Sequence, residues 1–302
     1  MRIVYVVPRY CPHLGGVEYV ARKLAEGLAL RGHYITVIAG EPNIKKTIIE
    51  GEGKVKVVRI PTYAPREAYH IPRDKKTIMH ILKDDRLDIV HTHSIHAVIS
   101  VLPLMIRKLT TPSWKLIMTM HFSTPGYTFV RRILWKLVWK NLVTRYLKYV
   151  DLIHATSPLE ANVISKYFPE IRKKILVIPL GVEGDVLGYS WRGKNSDFLL
   201  YSGRFEKYKR VDLMIRAVSR LVKQGYSIRL ILIGSGPYKS KIMKEIRKEL
   251  GKTAGQFIVI DSPKPREEYL RLLSNARAVI NLSAAENFSI FLAEAYMMGV
   301  PI

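Results

Sequence analysis

Residues 276–302 read ARAVINLSAAENFSIFLAEAYMMGVPI. Ala276 to Leu282 is an apolar run with the length of a buried strand, and Gly299 and Pro301 are the residue types that stop a helix. Asn287 or Ser289 is available to cap that helix, which places Glu286 in the loop and Glu294 on about the second helical turn. The stretch therefore reads strand, loop, helix. In an open parallel sheet ligands sit beyond the carboxyl ends of the strands, where helix N-termini attract anions. A carboxylate just past such a place can accept hydrogen bonds from vicinal hydroxyls of a ribose or a hexose. The alternative is that Glu286 and Glu294 are solvated loop and helix residues.

The same unit recurs upstream. Phe198 to Ser202 is strand-like and is followed by GRFEKYKR and a helix over Val211 to Val222. Arg204 and Lys209 straddle that loop, and two cations beside a helix N-terminus hold a diphosphate through charge-assisted bonds; the other reading is a solvated basic loop. Leu230 to Ile233 runs into GSGPYKS, whose Gly234 and Gly236 begin a dinucleotide fingerprint that lacks its third glycine and its acidic partner. A strand at Phe257 to Ile260 and a helix at Pro265 to Leu273 complete this half. The segment 184–196 has no periodicity and reads as the connection between two domains, 1–183 and 184–302.

In the first half, strands are expected at Arg2 to Val7, Ile35 to Ala39, Lys54 to Ile60, Asp88 to His91, Lys115 to Met120, Asp151 to Thr156 and Ile175 to Pro179. Helices are expected from Val17 to Arg31, Lys75 to Leu82 and Pro158 to Phe168. Strands alternating with helices mean an α/β chain with parallel, doubly wound sheets. Gly15 and Gly16, at the mouth of the first helix, either let backbone amides approach an anion or form a flexible turn. His91, His93 and His96 form H-x-H-x-x-H without a cysteine or carboxylate at ligand spacing, so no metal site is expected. His121 follows a strand end, where it meets a sugar hydroxyl or is a packed histidine. Residues 127–149 carry an apolar side (Phe129, Ile133, Leu134, Leu137, Val138) ringed by Arg131, Arg132, Lys136 and Lys140, with Trp135 and Trp139 one turn apart. That is the pattern of a helix lying on an anionic membrane surface, or of a half-buried helix with a solvated basic side.

The totals bound the class. The 302 residues suit two domains, and 48% apolar with 25% charged residues describes a folded chain. Forty-nine Lys and Arg against 25 Asp and Glu give a net charge of +24, which implies anionic partners. Nucleic acid is not expected, because it leaves Glu286 and Glu294 without a role and no basic strand surface carries stacking aromatics. A single cysteine, Cys11, excludes an internal disulfide and fits a reducing compartment. The first residues, MRIVYVVPRY, do not read as a signal peptide, so the expected location is cytoplasmic, peripheral at the inner face of a membrane.

Together GGVE at 15–18, RGHYITVI at 31–38, DIVHTH at 88–93, TMH at 119–121, IPLGV at 178–182, SGRFEKYKRVDLMIRAV, LILIGSGP and the E-x7-E pair resemble the retaining glycosyltransferases of family 4. The resemblance implies the GT-B fold, two Rossmann-like domains facing a cleft, and it places the rest of the second domain beyond Ile302, so that domain is expected to be truncated. It implies transfer of a hexosyl group from a UDP-, GDP- or ADP-sugar to a hydroxyl acceptor such as a lipid-linked glycan or polyprenyl, without a cofactor or metal. It implies that His121, Arg204, Lys209 and Glu286 act in catalysis, and that Gly15, Gly16, Gly234, Asn287, Phe288, Ser289 and Glu294 help bind the donor, Glu294 through the ribose hydroxyls. This chain has Glu286-Asn287-Phe288-Ser289 where many members have glycines. A sugar-nucleotide-binding protein without turnover is the other reading.

Overall fold

The computed structural model describes every residue except Leu14, Glu52, Tyr127 and Thr128, and the side chains of Arg66, Phe129, Val130 and Arg131. The chain divides into two compact units, Met1–Leu180 and Gly181–Ile302, rather than at 183/184.

In the first unit the strands are β1 (Arg2–Val7), β2 (Tyr34–Glu41), β3 (Ile48–Glu50), β4 (Val55–Tyr63), β5 (Ile71–Pro72), β6 (Ile89–His93), β7 (Lys115–Thr119), β8 (Leu152–Ala155) and β9 (Ile175–Val177). They lie in the order β3-β4-β2-β1-β6-β7-β8-β9. The sheet is parallel except that β3 and β5 pair antiparallel with β4, an edge feature absent from the sequence reading. Helices α1 (Gly16–Leu30), α2 (Lys75–Leu82), α3 (Val98–Thr110), α4 (Phe129–Leu134), α5 (Lys140–Leu147) and α6 (Pro158–Tyr167) cover it. Both faces of β1 are buried. Val4 and Val6 join one core with Val90, Leu116 and Met118, while Ile3, Tyr5 and Val7 join the other with Ala21 and Ala25 of α1. That two-sided burial is why parallel strands read as continuous apolar runs.

The second unit has β10 (Phe198–Ser202), β11 (Arg229–Ile233), β12 (Ile258–Asp261) and β13 (Ala278–Val279), ordered β12-β11-β10-β13 and all parallel. Its helices are α7 (Val211–Lys223), α8 (Lys239–Leu250), α9 (Ala254–Phe257), α10 (Arg266–Asn275) and α11 (Ile290–Met297). Residues 184–196, expected as a connection, are packed into this unit. Trp191 Nε1 donates to the carbonyl of Ala276 at 2.9 Å, and a Cβ on Gly193 would lie 1.9 Å from that same oxygen.

Trp135 and Trp139, which the sequence left either at a membrane surface or on a half-buried helix, are core residues. Between α4 and α5 the segment Trp135–Trp139 is a π-helical turn, with both rings turned inward. Trp135 stacks on Phe122 at 5.0 Å, and Trp139 Nε1 donates to the carbonyl of Ile95 at 2.9 Å. The opposite edge, Ile133, Leu134, Leu137 and Val138, is exposed. Phe129 and Arg131, counted in the same pattern, lie outside the described side chains.

Buried histidines line the first sheet. His91 and His93 alternate onto one face of β6, their rings stacked at 4.4 Å. Burial, with His154 and His121 beside it, lowers the pKa of His91 to about 3; burial lowers His93 well below its ordinary value and His70 to about 4. These imidazoles stay neutral in the fold while the unfolded chain protonates at about pH 6.5. Below that pH the unfolded chain binds the extra protons, so stability is retained above about pH 6.5 and lost as pH falls toward 4. Each such imidazole removes on the order of 1–2 kcal/mol at about pH 5, so the Tm should be clearly lower there than at about pH 7.5, and an unchanged Tm would contradict the neutral array.

The second unit contains a tighter constraint. Gly234 and Gly236 adopt φ of 154° and 153°, and a Cβ would stand 2.0 Å from the carbonyl oxygen of Gly203 and 2.6 Å from that of Phe205. Gly234→Ala should destabilise by about 2 kcal/mol or more through strain and overlap. Gly255→Ala, where the added Cβ meets open space, should stay within about 1 kcal/mol of wild type by denaturant titration.

Candidate functional site

In the second sheet, β10 pairs with β11 on one side and β13 on the other. The chain after β10 runs toward β11, whereas the chain after β13 returns along the opposite edge, where Val279 N donates to the carbonyl of Pro301 at 2.8 Å. Such a divergence of neighbouring connections opens a crevice at the carboxyl ends of the strands. The loops after β10 and β13 border it and are joined by Ala284 N donating to Tyr208 O at 2.8 Å.

These loops carry the cations and carboxylate singled out by the sequence. Lys209 Nζ and Glu286 Oε2 form a half-buried ion pair at 2.5 Å. Arg204 Nη2 donates to Glu206 Oε1 at 3.2 Å. Helix α7 starts beside them, after Arg210 in the left-handed region, whose side chain does not cap the first amides. Asn287 and Phe288 are half-buried in the second loop, and Ser289 caps α11 by accepting from Leu292 N at 3.4 Å.

Gly234 supports the site from behind. Gly203 N donates to Ile233 O at 3.0 Å, Phe205 N to Ser235 O at 2.8 Å and Tyr238 N to Phe205 O at 2.9 Å, while the Phe205 ring is buried. The glycines of GSGP thus allow backbone against backbone, which accounts for them without a dinucleotide.

Glu294 is 2% exposed on α11, and both of its oxygens are engaged. Arg266 Nη1 donates to Oε1, and the Tyr269 hydroxyl donates to Oε2 at 2.6 Å. The other edge of Arg266 holds Asp185 with two bonds of 2.9 Å. Burial alone would lower the pKa of Arg266, but its hydrogen bonds to Asp185 and Glu294 raise it, so the cation is permanent. A ribose would have to use the lone pairs of Glu294 that remain. Arg266, Tyr269 and Asp185 were not singled out in the sequence, because partners 28, 25 and 81 positions away leave no local pattern.

In the first unit His121 follows β7 with φ of 49°. Burial and the nearby His154 lower its pKa to about 3, so it is a neutral imidazole. The turn is fixed by Glu160, fully buried at the start of α6. Its Oε1 accepts from Phe122 N at 2.7 Å, and its Oε2 accepts from Thr156 N at 2.7 Å and Thr156 Oγ1 at 2.6 Å. The local signal for Glu160 was available as a capping box, Ser157-Pro158-Leu159-Glu160, in which Ser157 Oγ accepts from Glu160 N at 3.1 Å.

Gly15 and Gly16 play different parts. A Cβ on Gly15 would lie 2.2 Å from Glu18 Oε2, whose carboxylate is paired with Arg9 at 2.9 Å, whereas Gly16 faces open space. The free chain therefore places its own carboxylate at the mouth of α1. His96 leaves the other two histidines of its motif and packs against Trp135 at 4.8 Å.

Residues 14–185 match the family described as Glycosyltransferase Family 4, and residues 191–302 match Glycosyl transferases group 1. An alpha-monoglucosyldiacylglycerol synthase of Streptococcus pneumoniae is 21% identical over all of this chain and 70% of its own length. A D-inositol 3-phosphate glycosyltransferase of Nocardiopsis dassonvillei is 23% identical over 52% of this chain, spanning 40% of its own length. Among solved structures, sucrose-phosphate synthase of Thermosynechococcus elongatus superposes with a TM-score of 0.71 at 18% identity, covering 100% of this chain and 80% of that one. The pneumococcal O-GlcNAc transferase GtfA, in complex with UDP and GlcNAc, superposes with a TM-score of 0.68 at 14% identity, covering 99% and 83%. The two Rossmann-like units are those of the GT-B fold, and the chain belongs to glycosyltransferase family 4.

Proposed function

We propose that the protein transfers a hexosyl group, with retention at the anomeric carbon, from a UDP-, GDP- or ADP-sugar to a hydroxyl on a lipid-linked acceptor. The observation that carries this reading is the pairing of Lys209 with Glu286 beside the uncapped start of α7, at the crevice between β10 and β13. A diphosphate exchanges for Glu286 as the partner of Lys209, and the released carboxylate accepts hydrogen bonds from the hexose. Departure of the diphosphate breaks the bond from the anomeric carbon to the phosphate oxygen and leaves an oxocarbenium-like sugar. Arg204, Lys209 and the amides of α7 stabilise the charge gathering on the phosphate, and one such donor is commonly worth about 3 kcal/mol. The acceptor oxygen attacks from the same face, and its proton passes to the departing phosphate oxygen. The sequence has no Asp-x-Asp dyad to carry a metal diphosphate, so fixed cations take that part. Glu294, with Arg266 and Tyr269, forms the floor for the ribose, and His121 meets the sugar.

The acceptor reading rests on the exposed edge Ile133, Leu134, Leu137 and Val138, flanked by Arg132, Lys136 and Lys140. Apolar burial and attraction to anionic headgroups act together on such an edge. No helix among the described residues is long and apolar enough to cross a membrane. The proposed attachment is peripheral, through this edge, at the cytoplasmic face. The pneumococcal relative, whose name gives a glucosylated diacylglycerol as product, agrees with a lipid acceptor.

A thermal-shift screen in EDTA against UDP, GDP, ADP and their sugars should show stabilisation by one base, about 2.7 kcal/mol at 100 times the dissociation constant. Lys209→Ala should abolish most of that shift, and an undiminished shift in the variant would remove Lys209 from the diphosphate site. In liposome flotation the protein should rise with anionic vesicles and not with neutral ones. Replacing Leu137 and Val138 by Ser should lower the bound fraction; equal binding by this variant would exclude the edge as the contact.

A further inference from the structure

Four histidines crowd one face of the first sheet, His91 and His93 on β6, His121 after β7 and His154 on β8, and their hydrogen bonds can be given directions. A neutral imidazole has one donor and one acceptor. His154 Nε2 lies 2.7 Å from the carbonyl oxygen of Ile178, which only accepts, so Nε2 carries a proton. Thr119 Oγ1 lies 2.9 Å from His154 Nδ1 and 2.8 Å from His91 Nε2 and so links the two rings.

The remaining contact is His93 Nδ1 to His121 Nε2, at 3.2 Å with the rings stacked at 5.5 Å. Its direction is set at the far side of His93, where Nε2 is buried with no partner among the described residues. A proton on that nitrogen would be a buried donor with nothing to receive it, the rarer kind of orphan. With the proton on Nδ1, the donor is used and only a lone pair is left unpaired.

We propose that His93 is a positioning residue that donates from Nδ1 to Nε2 of His121 and so holds His121 as the tautomer with its proton on Nδ1. This rests on the reading that His121 meets the transferred sugar. The inward bond occupies the Nε2 lone pair, so His121 is a hydrogen-bond donor to a sugar oxygen and not a general base. A carboxylate in the place of His93 would favour the imidazolium; a neutral imidazole fixes orientation and tautomer without charging the ring. The left-handed turn at His121, pinned by Glu160, presents the ring to His93 at the required angle.

The test is long-range nitrogen–proton correlation NMR on the whole chain with 15N-labelled histidine, assigned with His121→Gln. Wild type should show His121 protonated on Nδ1 alone. His93→Asn, whose amide N–H replaces that of Nδ1, should keep this tautomer, whereas His93→Leu should give a mixture. Turnover should fall on the order of 100-fold in His93→Leu, the cost of a misplaced group, and return to within about 10-fold of wild type in His93→Asn. Stabilisation by the nucleoside diphosphate should be the same in all three. A wild-type His121 protonated on Nε2, or an unchanged His121 signal in His93→Leu, overturns the proposal. If His93→Leu does not fold, the wild-type and His93→Asn spectra still decide it. Full turnover in His121→Ala with the expected tautomers would instead overturn the sugar contact and leave the positioning intact.

Discussion

The backbone contact between Gly203–Phe205 and Gly234–Gly236 is the constraint on which the second unit's site depends. Two loops that follow neighbouring strands meet without side chains between them, and three backbone hydrogen bonds and the buried Phe205 ring hold them together. The loop that carries Arg204 and Lys209 hangs from that contact. Arg204 sits inside it, Lys209 one short turn beyond, and the second loop is attached through Tyr208 and Ala284. A flexible loop would lose the entropy of fixing Arg204 and Lys209 each time a ligand arrived, whereas here it is lost on folding.

The first unit reaches the same end by a different means. Glu160 is a buried carboxylate whose two oxygens accept three hydrogen bonds, two of them from backbone amides on separate segments. Such a group costs much to bury unless its lone pairs are satisfied, and once satisfied it ties those segments together. His121 lies at the end of that tie. Both units therefore place candidate site residues, His121 in the first and Arg204 and Lys209 in the second, on irregular backbone held by hydrogen-bonded contacts.

How much of this was legible depends on how local the cause is. Strand and helix positions were read well where spacing decides them, as at Phe198–Ser202 and Lys75–Leu82, which form with those bounds. Helix α8 carries only Ile242 and Ile246 as buried residues, and α3 contains Pro103, so neither stood out by composition. Trp135 and Trp139 share a face, as their spacing says, but spacing does not tell which face turns inward. That is decided by Phe122 and Ile95, which arrive from other elements. The cations and carboxylates of the site were named from order and residue type. Their partners were not, since the pairing of Arg266 with Glu294 and Asp185 is a property of the folded chain alone.

The ion pair of Lys209 and Glu286 has a bearing on selectivity in a cell full of small anions. Inorganic phosphate arriving alone would separate lysine from glutamate and leave a half-buried carboxylate with nothing to bond, a cost comparable to the contact it gains. A free sugar would meet the mirror-image difficulty at the lysine. If Lys209 and Glu286 bind the donor as proposed, a molecule that carries a phosphate and a set of hydroxyls at the right separation satisfies both ends at once. On the proposed reading the pair therefore sets a threshold: an anion that takes Lys209 alone also bears the cost of the stranded carboxylate, and a ligand that answers both groups does not.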